Sequence, residues 1–256
     1  MNDQVLNFYI PSWPVLFSDN HLLALYKPAG LLVQGDRTGD ATLIAMGREW
    51  VKRQYHKPGN VFLGMVHRLD RPVAGVVLFC RTSKAAGRVS EQFRSGQTRK
   101  KYMAVLEGKL KDQSGRLVNH LERRGNSGRV VTRATSTSDE ARLSFRLLDT
   151  AGDSSLVEID LETGRHHQIR LQFAHIGHPV LGDLRYGASG PLPEKQIALF
   201  AASLTVTHPT LGRELTFSAP LPRKWPWPKI PSGGEAPPWN WREIESEVSP
   251  QLSSTQ

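Results

Sequence analysis

The residues best equipped for chemistry lie in one short stretch, "MVHRLDRPVAG", from Met65 to Gly75. Apolar sequence runs into His67, Arg68, Leu69, Asp70, Arg71 and Pro72, and "GVVLFC" then resumes the apolar pattern. Asp70 thus stands between two arginines where two strand-like segments meet, and Pro72 forbids simple continuation of a strand ladder. Flanking guanidinium groups would hold its carboxyl ionised. An ionised carboxylate on a loop between strands is a competent nucleophile or electrostatic partner for an anomeric carbon during glycosidic cleavage. The alternative is structural, an aspartate paired with an arginine to fix a turn. The stretch alone leaves both readings open.

A second group of reactive side chains is His166, His167, His175 and His178. Only His167 and His175 could share a helix face, and no carboxylate pattern accompanies them, so a metal site is not expected. Nucleotide-binding GxGxxG, the P-loop and HExxH are absent from the sequence. Cys80 is the single cysteine, which excludes an internal disulfide framework and a cysteine-based zinc cluster.

Charge points to a partner. The chain of 256 residues carries 33 Lys+Arg against 24 Asp+Glu, a formal net charge of +9. Lys84 to Arg133 contains 13 basic and 4 acidic residues, while the rest balances at 20 of each. A localised basic face suits a polyanion, most often nucleic acid, although an alkaline soluble protein with no such partner is the plainer reading. No apolar run approaches the roughly 18 residues of a membrane span. The start, "MNDQVLNFYIPSW", shows no basic leader followed by an apolar block, so a cytoplasmic protein without a secretory signal is expected.

The elements that must position Asp70 follow from periodicity. "VLFSDNHLLALYKPAGLLV" reads as short strands broken at Asp19-Asn20 and at the Pro28/Gly30 turn. Leu43, Met46, Trp50 and Val51 predict a helix ending near "HKPGN". "VFLGMV" and "GVVLFC" read as buried strands on either side of the charged stretch. Ser83 is the expected N-cap of a helix with Ala86, Val89 and Phe93 on one face, stopped by Gly96. "KKYMAVLEG", "ARLSFRLLD" and "SLVEIDLE" read as strands, and "LFAASLTVTHP" and "ELTFSAP" as two more. "GRHHQIRLQFAHIG" supports a helix with Ile169, Phe173 and Ile176 along one face. There is no internal repeat and no heptad pattern. Strands outnumber helices without regular βαβ alternation, so the fold class is α+β, with a mixed, mostly antiparallel central sheet and flanking helices. The expected organisation is an extension over 1–14, one domain over 15–231 and a Gly-, Pro-, Ser- and Glu-rich disordered tail over 232–256.

"HRLDRPVAGVVLF" resembles the signature loop of the RluA-type pseudouridine synthases. The resemblance continues in order through "YKPAGLLVQ", "KKYMAVLEG", "ETGRHHQIRLQFAHIGHPVLGDLRYG" and "LFAASLTVTHP", from about Val15 to Pro220. It implies the pseudouridine synthase fold and isomerisation of a uridine within ribosomal or transfer RNA, by a monomer without cofactor. It makes Asp70 the catalytic aspartate. Tyr102 is then the tyrosine whose ring packs on the target uracil, and Arg170 the arginine that pairs with Asp70. Arg68 fills the gap left by an extruded base, and Arg165 and His167 contact RNA or support the site. Val73 and Ala74 stand where Thr-Ser is common, Gln34 and Phe200 replace common histidines, and Phe173 to His175 shift another. The small N-terminal RNA-binding domain of many relatives is expected to be absent. The rival readings are a catalytically silent RNA-binding or ribosome-assembly protein, and a glycosidic hydrolase that releases free uracil.

Overall fold

The central strands take their character from burial on both faces. In β3 (Leu22–Lys27) and β5 (Ala74–Cys80) every residue is buried, so their sequences are continuous apolar runs instead of alternations. The structure is a computed structural model that describes residues 7–8 and 14–228. The tail over 232–256 lies outside the described residues, as does the 1–14 extension apart from residues 7, 8 and 14.

In chain order the first strands are β1 (Asn7–Phe8), β2 (Pro14–Ser18) and β3, followed by helix α1 (Leu43–Gln54). Then come β4 (Gly64–Met65), β5, helix α2 (Ser83–Arg94), β6 (Arg99–Glu107), β7 (Ser114–Arg124) and β8 (Ser127–Val131). β9 (Ser138–Ala151), β10 (Ser154–Leu161), helix α3 (Gln168–His175), β11 (Leu199–Thr207) and β12 (Glu214–Ser218) complete the set, with 3-10 turns at Leu184–Tyr186 and Pro193–Lys195. One sheet runs in the order β1-β2-β3-β5-β11-β6-β10-β9-β7-β8, with β12 paired to β11 and β4 to β5. Every pairing is antiparallel except β5 with β11, which is parallel. This is the mixed, mostly antiparallel α+β sheet read from the sequence.

The parallel pair lies directly after the Asp70 loop and is unusually close. A Cβ at Gly75, where φ is +133, would meet the Ala201 carbonyl oxygen at 2.3 Å. Only glycine fits there. Helix α1 buries Leu43, Met46, Trp50 and Val51, the face expected from spacing.

Four local expectations need correction. The N-cap of α2 is Thr82, whose hydroxyl accepts from the Ala85 N–H at 3.2 Å, and Ser83 is the first helical residue. "VFLGMV" contributes only the two residues of β4, and Phe62 is 52% exposed. Helix α2 packs so closely there that a Cβ on Gly64 would lie 2.8 Å from that of Ala86. In α3, Ile176 falls past the helix end and is exposed, while Gln168 through Phe173 are all buried. The helix sits between two apolar clusters: Ile169 and Phe173 join the main core, and Leu171 meets Leu121 and Ala141. The β7–β8 hairpin was not anticipated. Its strands carry many polar residues, although the two-residue Gly125-Asn126 connection is a hairpin signal.

Candidate active site

The Asp70 loop is held from beneath by the end of β3. Lys27 is fully buried and its ammonium donates to the carbonyls of Pro28 (3.0 Å), Leu31 (2.8 Å) and Arg71 (3.1 Å). Burial is the main influence on Lys27 and lowers its pKa to about 7, opposed by the nearby charge of Asp70. The Gly30 N–H donates to the Arg71 carbonyl at 2.8 Å, and the Val73 N–H closes the loop onto the Asp70 carbonyl at 3.1 Å. Leu69 and Val73 anchor the loop in the core. The backbone of the loop that carries Asp70 is therefore fixed by buried contacts.

The charge partner of Asp70 comes from the far end of the chain. Arg170, on the first turn of α3, donates from Nη1 to Asp70 Oδ2 at 2.9 Å. Its other side is gripped by Asp183, with Nε to Oδ2 at 2.6 Å and Nη2 to Oδ1 at 2.8 Å. Arg170 and Asp183 are 5% and 1% exposed, so this bidentate pair is built into the interior. Asp70 is the partly exposed member of the triad, open toward solvent on one side. The arginines beside it in sequence do not supply its counter-charge, contrary to expectation. Arg71 turns away to Asp40 (2.7 Å) and the Gly30 carbonyl (2.9 Å). Arg68 is exposed and makes no hydrogen bond or ion pair among the described residues.

His167 begins α3 in a left-handed conformation, φ 53, rarely adopted by a residue with a side chain. Its Nδ1 lies 2.6 Å from the Tyr186 hydroxyl, and its Nε2 lies 3.4 Å from Asp70 Oδ2. Burial lowers its pKa to about 3 against the pull of Asp70, so the ring is neutral near pH 7. Among the described residues no cluster of three or more potential metal ligands occurs.

Tyr102, on β6, is raised above the ordinary tyrosine range by burial and by the charge of Asp70. Its hydroxyl has no hydrogen-bond partner among the described residues. All six candidates from the sequence, Asp70, Tyr102, Arg170, Arg68, Arg165 and His167, line one cavity of about 100 Å³. Apolar walls come from Leu69, Val73, Leu161, Ile169 and Leu199. Arg165 reaches this cavity while its guanidinium is also tied to the Glu140 carbonyl (3.0 Å) and to Asp139 (3.4 Å). A second opening of about 400 Å³ lies beyond Asp70 and is lined by Gln34, Arg123, Asn126, His166 and Arg185, among others. Arg68 borders both spaces.

Three members of the site were not assigned from the residues: Lys27, Asp183 and Tyr186. All three fall inside quoted motifs, "YKPAG" and "GDLRYG", but their partners are distant in sequence. The arrangement offers a carboxylate bonded to an arginine that Asp183 grips from its other side, next to a slot lined by apolar side chains and by Tyr102.

The sequence matches the family model described as RNA pseudouridylate synthase over residues 21–175. It is similar to the ribosomal large subunit pseudouridine synthase D of Xylella fastidiosa, with 33% identity over 81% of this chain. The chain spans 66% of that relative's length, a little under two thirds. The tRNA pseudouridine synthase C of Salmonella typhimurium is 31% identical over 82% of this chain and 86% of the relative. Among solved structures, Human RNA Pseudouridylate Synthase Domain Containing 4 superposes with a TM-score of 0.70 at 25% identity, covering 82% of this chain and 89% of that one. Human RNA Pseudouridylate Synthase Domain Containing 1 shares the fold, with a TM-score of 0.65 at 20% identity.

Proposed function

The chain belongs to the RluA-type RNA pseudouridylate synthase family, and we propose that it isomerises uridine to pseudouridine in a structured ribosomal or transfer RNA. The observation that carries this reading is the single cavity shared by Asp70, Tyr102 and Arg170, with Asp70 bonded to an arginine that Asp183 immobilises. In the reaction the bond from uracil N1 to ribose C1′ breaks, the base turns, and a bond forms from C5 to C1′. The hydrogen leaves C5 and N1 gains one, so atoms balance and no electrons are exchanged with a third party. A cofactor has no step to perform.

Each side chain then has a task that its environment suits. Asp70 is the carboxylate that meets the sugar or the base as the glycosidic bond opens. Arg170 aims it through the bond from Nη1, and its own position is set by two further bonds to Asp183. Tyr102 offers a ring face to uracil in the slot, where stacking is sequence-tolerant and favourable. The target must leave its stack to reach a slot of this size, so Arg68, free at the mouth, takes the vacated space. His167 and Arg165 shape the wall where the ribose and backbone pass. The protein acts as a monomer in the cytoplasm, and no helix among the described residues is long and apolar enough to cross a membrane.

A transcriptome-wide pseudouridine map of cells with and without the gene tests the proposal. Loss of pseudouridine at one or a few positions of ribosomal or transfer RNA is the expected outcome. An unchanged map together with intact RNA binding would favour the catalytically silent RNA-binding protein.

A further inference from the structure

The third space around the site is the largest. A cleft of about 930 Å³ adjoins the uracil slot and shares Arg68, Tyr102, Leu161, Gly164 and Arg165 with it. Five basic side chains line it: Arg68, Arg94, Lys100, Arg142 and Arg165. Three of them already have carboxylate partners. Arg94 pairs with Glu91, Arg142 with Glu140 and Glu162, and Arg165 with Asp139. The one carboxylate on the cleft wall, Glu162, is taken by both Arg142 and Arg116, the latter through two bonds of 2.8 and 3.0 Å.

Lys100 is different. It is half-buried and makes no hydrogen bond or ion pair among the described residues. Its Nζ lies 3.8 Å from where a Cβ on Gly164 would stand, so it sits beside the loop that leads into α3. Strand alternation puts Lys100 and Tyr102 on the same face of β6, about 6.6 Å apart along the strand. Lys101, on the opposite face, is satisfied by Glu158 (3.3 Å) and Asp160 (3.4 Å). Two adjacent lysines on one strand are thus treated oppositely: one is neutralised by the fold and the other is left facing a cleft. Leaving a partly desolvated cation without a partner opposes folding, and a ligand anion would remove that cost.

We propose that Lys100 is a phosphodiester-binding subsite of the cleft, holding the RNA backbone next to the nucleotide whose base enters the slot. The inference rests on the reading of the slot as a uridine site and adds where the strand runs from it. The class of ligand follows from the surroundings. The cleft, of about 930 Å³, is lined by five basic side chains against the one carboxylate of Glu162, and Tyr102 forms part of its wall. Burial and the neighbouring Arg165 lower the Lys100 pKa to about 8, so the side chain still carries its proton near pH 7. Arg68, from the Asp70 loop, is the second unpartnered cation that lines the cleft.

The test pairs a protein change with an RNA change. Lys100→Gln, Lys100→Arg and a control outside the cleft, Arg146→Gln, whose residue is paired with Glu158, are compared with the unaltered protein on a short RNA substrate found in the pseudouridine map. In Lys100→Gln, KM should rise about tenfold with kcat changed less than twofold, and the slope of log affinity against log salt should fall by about 0.7. Lys100→Arg should restore both, and Arg146→Gln should change neither. Replacing single phosphates by neutral methylphosphonates should then reveal one linkage beside the target uridine whose neutralisation weakens the unaltered protein but not Lys100→Gln. A drop in kcat with KM unchanged would overturn the proposal, as would an unaltered salt slope or additive effects at every linkage. Affinity is read by fluorescence anisotropy on the same RNA. If the protein binds RNA but isomerises nothing, the functional reading fails, and the salt slopes of Lys100→Gln and the unaltered protein, read by anisotropy on an unmodified transfer RNA, still decide the subsite.

Discussion

Two sets of cations surround Asp70, and the structure treats them in opposite ways. The inner set, Lys27 and Arg170, is almost fully buried, and the hydrogen bonds of its charged groups run to backbone carbonyls and carboxylates of the same chain. The outer set, Arg68 and Lys100, borders open space and has no hydrogen bond or ion pair among the described residues. The inner charges have a geometry decided before any ligand arrives, which is what preorganised electrostatics require. Outer charges are available to a polyanion that brings its own counter-charge. A basic residue near an active site therefore does not declare its role by proximity alone. Its partners do.

The strongest break of this comparison is at the reacting group itself. Asp70→Asn should lower turnover by at least about a thousandfold, while RNA affinity, carried by the outer set, stays within a few fold. Equal losses in both would merge the two sets into one. Next comes Asp183→Ala, which leaves Arg170 buried without its bidentate partner. Denaturant unfolding should show a loss of about 3–5 kcal/mol, and a loss below about 1 kcal/mol would mean that Arg170 is free to swing outward.

The outer set should behave differently. Arg68→Lys keeps the charge and loses the planar guanidinium, so activity on folded RNA should fall about tenfold with little change in stability. The loss should shrink on an RNA whose target uridine is already unstacked. A defect of the same size on both RNAs would assign Arg68 to charge alone.

A further difference concerns pH. His67 accepts the Leu78 N–H at its Nε2 (2.8 Å) and stacks on Phe93, and burial lowers its pKa from 6.5 to about 3. The folded value lies below the unfolded one. Its stabilising contribution is thus complete above about pH 6.5 and is lost as pH falls toward 3. His167 shares that direction and window. Urea midpoints measured from pH 7 down to 4 should decline, and His67→Gln should flatten the decline. An identical pH slope in the variant would mean that His67 is not held neutral.

Much of the site was legible in the sequence because its members sit in ordered motifs, and the structure gathers all six candidates around one cavity. What could not be read was partnership. Asp70 and Arg170 are 100 positions apart, and nothing local in "HRLDR" says that Arg71 turns to Asp40 instead. Adjacency in sequence suggested a counter-charge, whereas the loop's backbone bonds to Lys27 and Gly30 point Arg71 outward. The fold shows the same division. The continuous apolar run of β5 and the 3.6-residue spacing of α1 are strong local signals. The polar β7–β8 hairpin and the all-round burial of α3 depend on what packs against them. The alternation of Lys100 and Lys101 across β6 was readable, but the cleft that makes it matter was not.

The most direct measurement uses RNA labelled with tritium at C5 of its uridines. Isomerisation replaces the C5–H bond by C5–C1′, so each turnover frees one tritium into water. The purified protein, in buffer containing EDTA and no added cofactor, should release tritium up to the equivalent of one or a few uridines per RNA without liberating uracil, and Asp70→Asn should release none. Release of free uracil, a requirement for added metal, or undiminished release by Asp70→Asn would contradict the account.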